Sequence, residues 1–112
     1  MSFSIERMLN YALDSGASDL HLSTGSIPMV RIHGEMKKLQ LPEMDNSSMA
    51  DIAKEVLNDN QQSIFKDNLE IDFSTELKGK GRFRVNFFQQ LNGVSAVFRT
   101  IPSVIKSAEE LG

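Results

Sequence analysis

Gly81-Arg82-Phe83-Arg84-Val85-Asn86-Phe87-Phe88-Gln89-Gln90-Leu91, with a return leg from Gly93 to Pro102, decides how this chain folds. Side chains on a strand alternate between faces with a period of two. Phe83, Val85, Phe87 and Leu91 therefore share one face, and Arg82, Arg84, Asn86, Phe88 and Gln90 share the other. Asn92-Gly93 between two strand-like runs predicts a hairpin, because a type I′ turn needs positive φ at both central positions. With those two residues as the loop, Leu91 pairs with Val94, Gln89 with Ala96 and Phe87 with Phe98, which gives one continuous apolar surface. The same register sets Arg99 opposite Asn86 and diagonal to Arg84 and Phe88. The outer face then carries Arg84, Asn86 and Arg99 beside Phe88, Val97 and Ile101. Guanidinium groups mixed with apolar side chains fit a partner surface better than a solvated one.

Outward from the hairpin, the remaining segments sort by period. Ile5, Met8, Leu9, Ala12 and Leu13 form the stripe of a core-facing helix, capped by Ser4, stapled by Phe3 against Met8, and stopped by Gly16. Asp19 to Ser23 alternates as a strand, with Leu20 and Leu22 inward and Asp19, His21 and Ser23 outward. Met29 to Ile32 is a second strand, turned by His33-Gly34 into a third from Met36 to Leu41. Pro42 to Ser48 is a loop. Met49, Ile52, Ala53, Val56 and Leu57 repeat the helical stripe, Asn58 to Asn60 breaks it, and Gln61 to Asp67 forms a short third helix. Leu69, Ile71 and Phe73 alternate with Glu70, Asp72 and Ser74 in a fourth strand. A loop of Gly79-Lys80-Gly81 then sets Glu76 opposite Arg84, and Pro102 closes the last strand. The expected fold class is α+β and PAS-like, an antiparallel sheet of about six strands with helices packed on one face.

The chain has 112 residues, 40% of them apolar and 24% charged, with a net charge of −3 and no cysteine. That is enough for one domain with a real core, since a chain of this size buries roughly two-thirds of its extended surface. An acidic average argues against a free-standing nucleic-acid binder, while a local arginine cluster fits a small anion or a neighbouring subunit. Without cysteine there is no disulfide framework and no thiolate metal site or nucleophile. Asp19 and His21 share a face, but two residues with no evident third ligand do not make a metal site. No signal segment and no apolar run of about 20 residues is visible, which gives an expectation of a soluble cytoplasmic chain. Ser107-Ala108-Glu109-Glu110 has the pattern of a capping box that ordinarily opens a helix, as though the chain had been cut from a longer one.

Ala17-Ser18-Asp19-Leu20-His21-Leu22, Gly25-x-x-Pro28 and Arg31-x-x-Gly34 resemble the opening of the type IV pilus retraction ATPases, the PilT-type twitching-motility motors. Gly81-Arg82-Phe83-Arg84-x-Asn86-x-Phe88-x-Gln90, Arg99-x-Ile101-Pro102 and Glu109-Glu110-Leu111-Gly112 resemble the end of the same N-terminal domain. His33 departs from the Asp more usual there. The short stretch before Ser18 favours the retraction branch over the assembly and type II secretion ATPases.

The resemblance implies a PAS-like N-terminal domain over residues 1–102. Residues 103–112 are then a linker and the start of the helix leading into a RecA-like ATPase domain. It implies a hexameric ring in the cytoplasm, peripheral at the inner membrane through the pilus-base machinery. Partners are the ATPase domains of the same and neighbouring subunits, with no nucleic acid. ATP and Mg are cofactors of the longer enzyme and not of this chain. By the same resemblance Arg82, Arg84 and Arg99 are the residues that reach nucleotide phosphates, a task suited to a planar, permanently charged fork. Asp19, His21, Asn86 and Phe88 are expected at subunit interfaces. No Gly-x-x-x-x-Gly-Lys-Ser/Thr stretch exists to cradle phosphates, so no catalytic residue is assigned and the chain alone is not expected to hydrolyse ATP. The alternatives are a stand-alone PAS-like sensor with a small ligand between helices and sheet, or the equivalent domain of an assembly or secretion ATPase.

Overall fold

Helix α1 (Ile5–Asp14) starts because the Ser4 hydroxyl accepts the N–H of Arg7, and it buries Ile5, Met8, Leu9 and Ala12 on one stripe. Its end is a Schellman arrangement: Gly16 takes φ 74, its N–H reaches the Leu13 carbonyl, and the Ala17 N–H reaches the Ala12 carbonyl. Ser18 is then stitched to both neighbouring strands, by its N–H to the Arg31 carbonyl and by the Thr100 N–H to its carbonyl. That stitching launches β1 (Asp19–Ser23) at the centre of the sheet. The computed structural model describes residues 4–101. The staple from Phe3, the strand end at Pro102 and the residues 103–112 assigned to a linker and helix start lie outside them.

β2 (Met29–Ile32) and β3 (Glu35–Lys38) form a hairpin around His33-Gly34. Both loop residues have positive φ, 52 and 82, the signature of a type I′ turn. The third strand is shorter than the expected Met36 to Leu41: only four residues face β2, and all four are exposed at the sheet's edge. Lys37 and Lys38 on that edge disfavour pairing with another chain. Helix α2 (Asn46–Val56) begins inside the expected loop because the Asp45 carboxylate accepts the Ser48 N–H at 2.8 Å. Helix α3 (Asp59–Asn68) begins two residues earlier than expected. Asn58 and Gln61 form a reciprocal capping box there, so the residues that break α2 also open α3.

β4 (Glu70–Leu77), β5 (Gly81–Gln90) and β6 (Gly93–Ile101) complete one six-stranded antiparallel sheet of order β3-β2-β1-β6-β5-β4. The α+β, PAS-like class expected from the sequence is the one observed, with three helices over one face. Phe83, Phe87, Phe98, Leu20, Leu22 and Val30 point to that face and are fully buried with Met49 and Ile52 of α2. Phe87 is its hub, with ring centroids 6.1 Å from Phe65, 6.5 Å from Phe73 and 6.0 Å from Phe98.

Two registers differ from expectation, each by two residues. Gln90 pairs with Gly93, so the β5–β6 loop is Leu91-Asn92. Phe87 therefore faces Ala96 rather than Phe98, and Arg84, not Asn86, stands opposite Arg99. Leu91, expected on the inner face, sits fully exposed at the turn. The deciding contact is tertiary: a Cβ on Gly93 would lie 2.5 Å from Asn46 Oδ1 and 2.8 Å from Thr24 Oγ1, and its φ is 137. Only glycine passes between those groups, and it does so as a strand residue. At the other end, Leu77 pairs with Gly81, so the loop is Lys78 to Lys80 and Glu76 stands opposite Arg82. Ser74 takes the place opposite Arg84 that was expected for Glu76. Gly81 belongs to the strand because it lies against Leu13 of α1. A two-residue displacement keeps every side chain on its face, whereas a one-residue slip would have turned the sheet inside out.

Candidate functional site

The helix-free face of the sheet is built of cross-strand rows. One row runs Arg31 (β2), Asp19 (β1), Arg99 (β6), Arg84 (β5) and Ser74 (β4). The next runs Met29, His21, Val97, Asn86 and Asp72, and a third runs Ser23, Ser95, Phe88 and Glu70. Every residue expected on the outer face is on it.

A concavity of about 450 Å³ opens over β4, β5 and β6, lined by Glu70, Asp72, Arg84, Asn86, Phe88, Val97 and Arg99. It brings together four of the seven residues singled out from the sequence: Arg84, Arg99, Asn86 and Phe88. Arg82 lies one row further toward the start of β5, between Glu76 and Ile101, and does not line it. Asp19 lies beyond Arg99, and His21 lines an adjoining hollow of about 290 Å³ that shares Phe88 and Val97.

The polar groups of β5 that line the concavity, Arg84 and Asn86, lean toward β4. Arg84 donates from Nε to Asp72 Oδ1 at 3.3 Å and from Nη2 to Asp72 Oδ2 at 3.0 Å, a two-pronged pair. The hydrogen bond and charge of Asp72 raise the guanidinium's pKa further above its already high value. Asn86 donates to the Ile71 carbonyl at 3.2 Å and to Glu70 at 3.4 Å. The floor toward β6 is left to Val97, Phe88 and Arg99.

Arg99 makes no ion pair among the described residues. Asp19 is directly across from it, but the Asp19 carboxylate is committed elsewhere: Ser18 Oγ donates to Oδ1 at 2.6 Å, and His21 Nε2 (2.5 Å) and Arg31 Nε (3.5 Å) meet Oδ2. Burial pushes the Asp19 carboxyl up. The Ser18 hydroxyl, the His21 ring and the charge of Arg31 together outweigh that and hold it below the ordinary carboxylate range. Arg31 also donates to the Gly34 carbonyl at 3.2 Å, which ties the type I′ turn to the same acid. Among the described residues no group of three or more His, Asp or Glu side chains is arranged to hold a metal ion.

Asp72, Ser18 and Arg31 were not singled out from the sequence as partners in this site. Asp72 was visible as an outward residue of β4, but its place beside Arg84 depends on the β4–β5 register. Ser18 precedes its strand and carries no periodic signal.

No protein-family model matches the chain. Among curated proteins it is 44% identical over 108 residues to the type IV pilus retraction ATPase PilT of Pseudomonas aeruginosa, covering 96% of this chain and 31% of the relative. It is 50% identical over 84 residues to a twitching motility protein of Neisseria gonorrhoeae, covering 75% of this chain and 22% of that protein. Among solved structures, the pilus retraction motor PilT with bound ADP superposes with a TM-score of 0.82 at 34% identity, over 91% of this chain and 30% of the motor. The ATPase DotB of Legionella pneumophila shares the fold, with a TM-score of 0.77 at 24% identity.

These similarities define the class: an α+β domain homologous to part of the pilus retraction ATPases. Within that class the relationship is to the PilT-type twitching-motility motors, as the motifs at Ala17 to Leu22 and Gly81 to Gln90 imply. The chain spans less than a third of the length of these curated relatives.

Proposed function

We propose that this chain works as the non-catalytic N-terminal domain of a hexameric pilus retraction ATPase, with its helix-free sheet face as the coupling surface. The observation that carries this is the Arg84–Arg99 row on an open, partly apolar face. Like charges directly opposite each other oppose folding, and an isolated domain gains nothing from keeping them so. A phosphate group supplied by an adjoining ATPase domain, whether from the same or a neighbouring subunit, resolves the conflict. Arg99 is the arginine available for it, because Arg84 is engaged by Asp72. Arg82, outside the concavity, serves as a second contact at its rim. Phe88 and Val97 bury against the partner, and Asn86, Asp19 and His21 line the same contact. A location in the cytoplasm, beneath the inner-membrane pilus base, goes with that role.

The arginines suit the phosphate oxygens of ATP, and in this reading the base, metal and attacking water belong to the ATPase domain. The alternative of a sensor with a ligand between helices and sheet meets Phe83, Phe87 and Phe98 in that space, all at 0% exposure. The test is steady-state ATP turnover by the longer protein carrying Arg99→Ala. An arginine that stabilises a transferring phosphoryl group is worth roughly 10³-fold in turnover. A change under about tenfold, with KM also unmoved, would remove Arg99 from the nucleotide site.

A further inference from the structure

We propose that Asp72 is a built-in counter-ion that holds Arg84 in reserve, and that Arg84 leaves it for an incoming anion only when that anion also engages Arg99. This rests on the arginine face being an anion site and names the residue that regulates it.

Three observations converge. First, Arg84 does not reach straight out of the sheet but diagonally back across β4, away from Arg99, with two of its nitrogens on the two Asp72 oxygens. Second, the pair is exposed: the Arg84 side chain keeps 68% of its accessibility and that of Asp72 keeps 46%. Such pairs are weakly held and exchange readily with water, so this contact orients the guanidinium without locking it. Third, the acid that could have neutralised Arg99, its cross-strand neighbour Asp19, is taken up by Ser18, His21 and Arg31. Arg99 is left with its charge uncompensated by any carboxylate among the described residues, and Arg84 is not.

The energetics follow from this asymmetry. For Arg84 to swing toward β6 it must give up Asp72 and approach a second guanidinium, which is unfavourable on both counts. A multiply charged anion seated over Arg99 and Val97 reverses both terms, because it replaces the Asp72 carboxylate and screens the two guanidiniums from each other. Phosphate-type groups match the planar forks of two arginines. A singly charged anion, offering less charge than the two arginines carry, leaves Arg84 on Asp72. Asp72 thus sets a threshold of ligand charge and acts as a positioning residue through Arg84.

The experiment uses the 112-residue chain, inorganic pyrophosphate as probe, and the side-chain Nε–H signals of Arg84 and Arg99 followed by NMR at low salt. In the unsubstituted chain pyrophosphate moves both signals. Asp72→Asn tightens binding by up to roughly eightfold, the effect of a unit charge about 7 Å from a dianion in water before screening. Glu70→Gln is the control: it removes a charge from the same concavity but from a residue bonded to Asn86, not Arg84. Asp72→Asn is expected to exceed Glu70→Gln by at least threefold, and Arg84→Ala abolishes the excess. If the two substitutions tighten binding equally, or the excess survives Arg84→Ala, Asp72 is only one surface charge among several and the proposal is overturned. If pyrophosphate leaves the Arg99 signal unmoved in every variant, the anion site itself is refuted, and the role of Asp72 falls with it.

Discussion

Arg99 stands directly across the β5–β6 ladder from Arg84, on the face of the sheet that no helix covers. A pair of guanidiniums in that position opposes folding of the domain that contains it, by up to about 1 kcal/mol for like charges facing one another. Arg99→Thr is accordingly expected to leave the chain as stable as before or more stable by a few tenths of a kcal/mol. Urea unfolding of the two chains decides it. A loss of stability would show that Arg99 has a structural partner of its own.

Phe87 sits where three other rings converge and is fully buried. Truncation to alanine removes the buried ring and leaves a cavity that a sheet cannot collapse into, at a cost of about 3–5 kcal/mol. Against a total stability of roughly 5–15 kcal/mol, that leaves little margin. Phe87→Ala is therefore expected to unfold at much lower denaturant than Phe87→Leu, which keeps most of the volume.

Leu69 caps α3 in the left-handed region, with φ 63, and its side chain is more than half exposed. A leucine there carries backbone strain and gains little burial in exchange. Leu69→Gly is predicted to stabilise the domain by about 0.5–1 kcal/mol despite the greater freedom glycine gives the unfolded chain. A lower melting temperature in the glycine variant would mean that the exposed leucine packs usefully after all.

The depressed pKa of Asp19 has a definite sign in a pH profile. Its ionised form is favoured by folding, so its contribution is fully present above the ordinary carboxylate value of about 4 and is lost as pH falls through the lower folded-state value. The stability difference between the parent chain and Asp19→Asn should shrink as pH falls below about pH 4. A difference that persists undiminished to about pH 2 would assign the effect to another group.

Gly93 offers a structural control for the register. An added Cβ meets Asn46 Oδ1 and Thr24 Oγ1 well inside contact distance, at a φ that side chains disfavour. Gly93→Ala should destabilise by more than about 1 kcal/mol, and Asn46→Ala should recover part of the loss by opening room. An innocuous Gly93→Ala would mean that the loop is placed elsewhere.

Within the strands, core and outer face were legible from period alone, because Leu20, Val85 and Phe98 answer only to their parity. Leu69 and Leu91, expected inside, fall just beyond strand ends at a helix cap and a turn and are exposed. Which outer residues oppose one another was not legible. An Asn-Gly pair announces a turn without saying whether glycine lies inside the loop or closes it. Here the matter is settled by Thr24 and Asn46, which are remote in sequence. The type I′ geometry expected at Asn92-Gly93 occurs instead at His33-Gly34, where no second segment competes for the glycine. The pairing of Arg84 with Asp72 followed from the shifted register and was hidden for the same reason. The burial of Asp19 needed Ser18, His21 and Arg31 to meet from two strands, a convergence that no local pattern encodes.

The sheet order places β1 beside β6, with Asp19 against Arg99 and Ser23 against Ser95. Each flank is a local meander, β1-β2-β3 on one side and β4-β5-β6 on the other, and only this seam joins them. A growing chain can form either meander early, but Leu20 and Leu22 acquire their neighbours only after Ala96 and Phe98 have been made. Contacts that distant in sequence are the slow ones to close. Folding of this domain should thus be governed by one late event, the zipping of the first strand to the last, and the half-sheet waiting for it exposes the edge most open to mispairing.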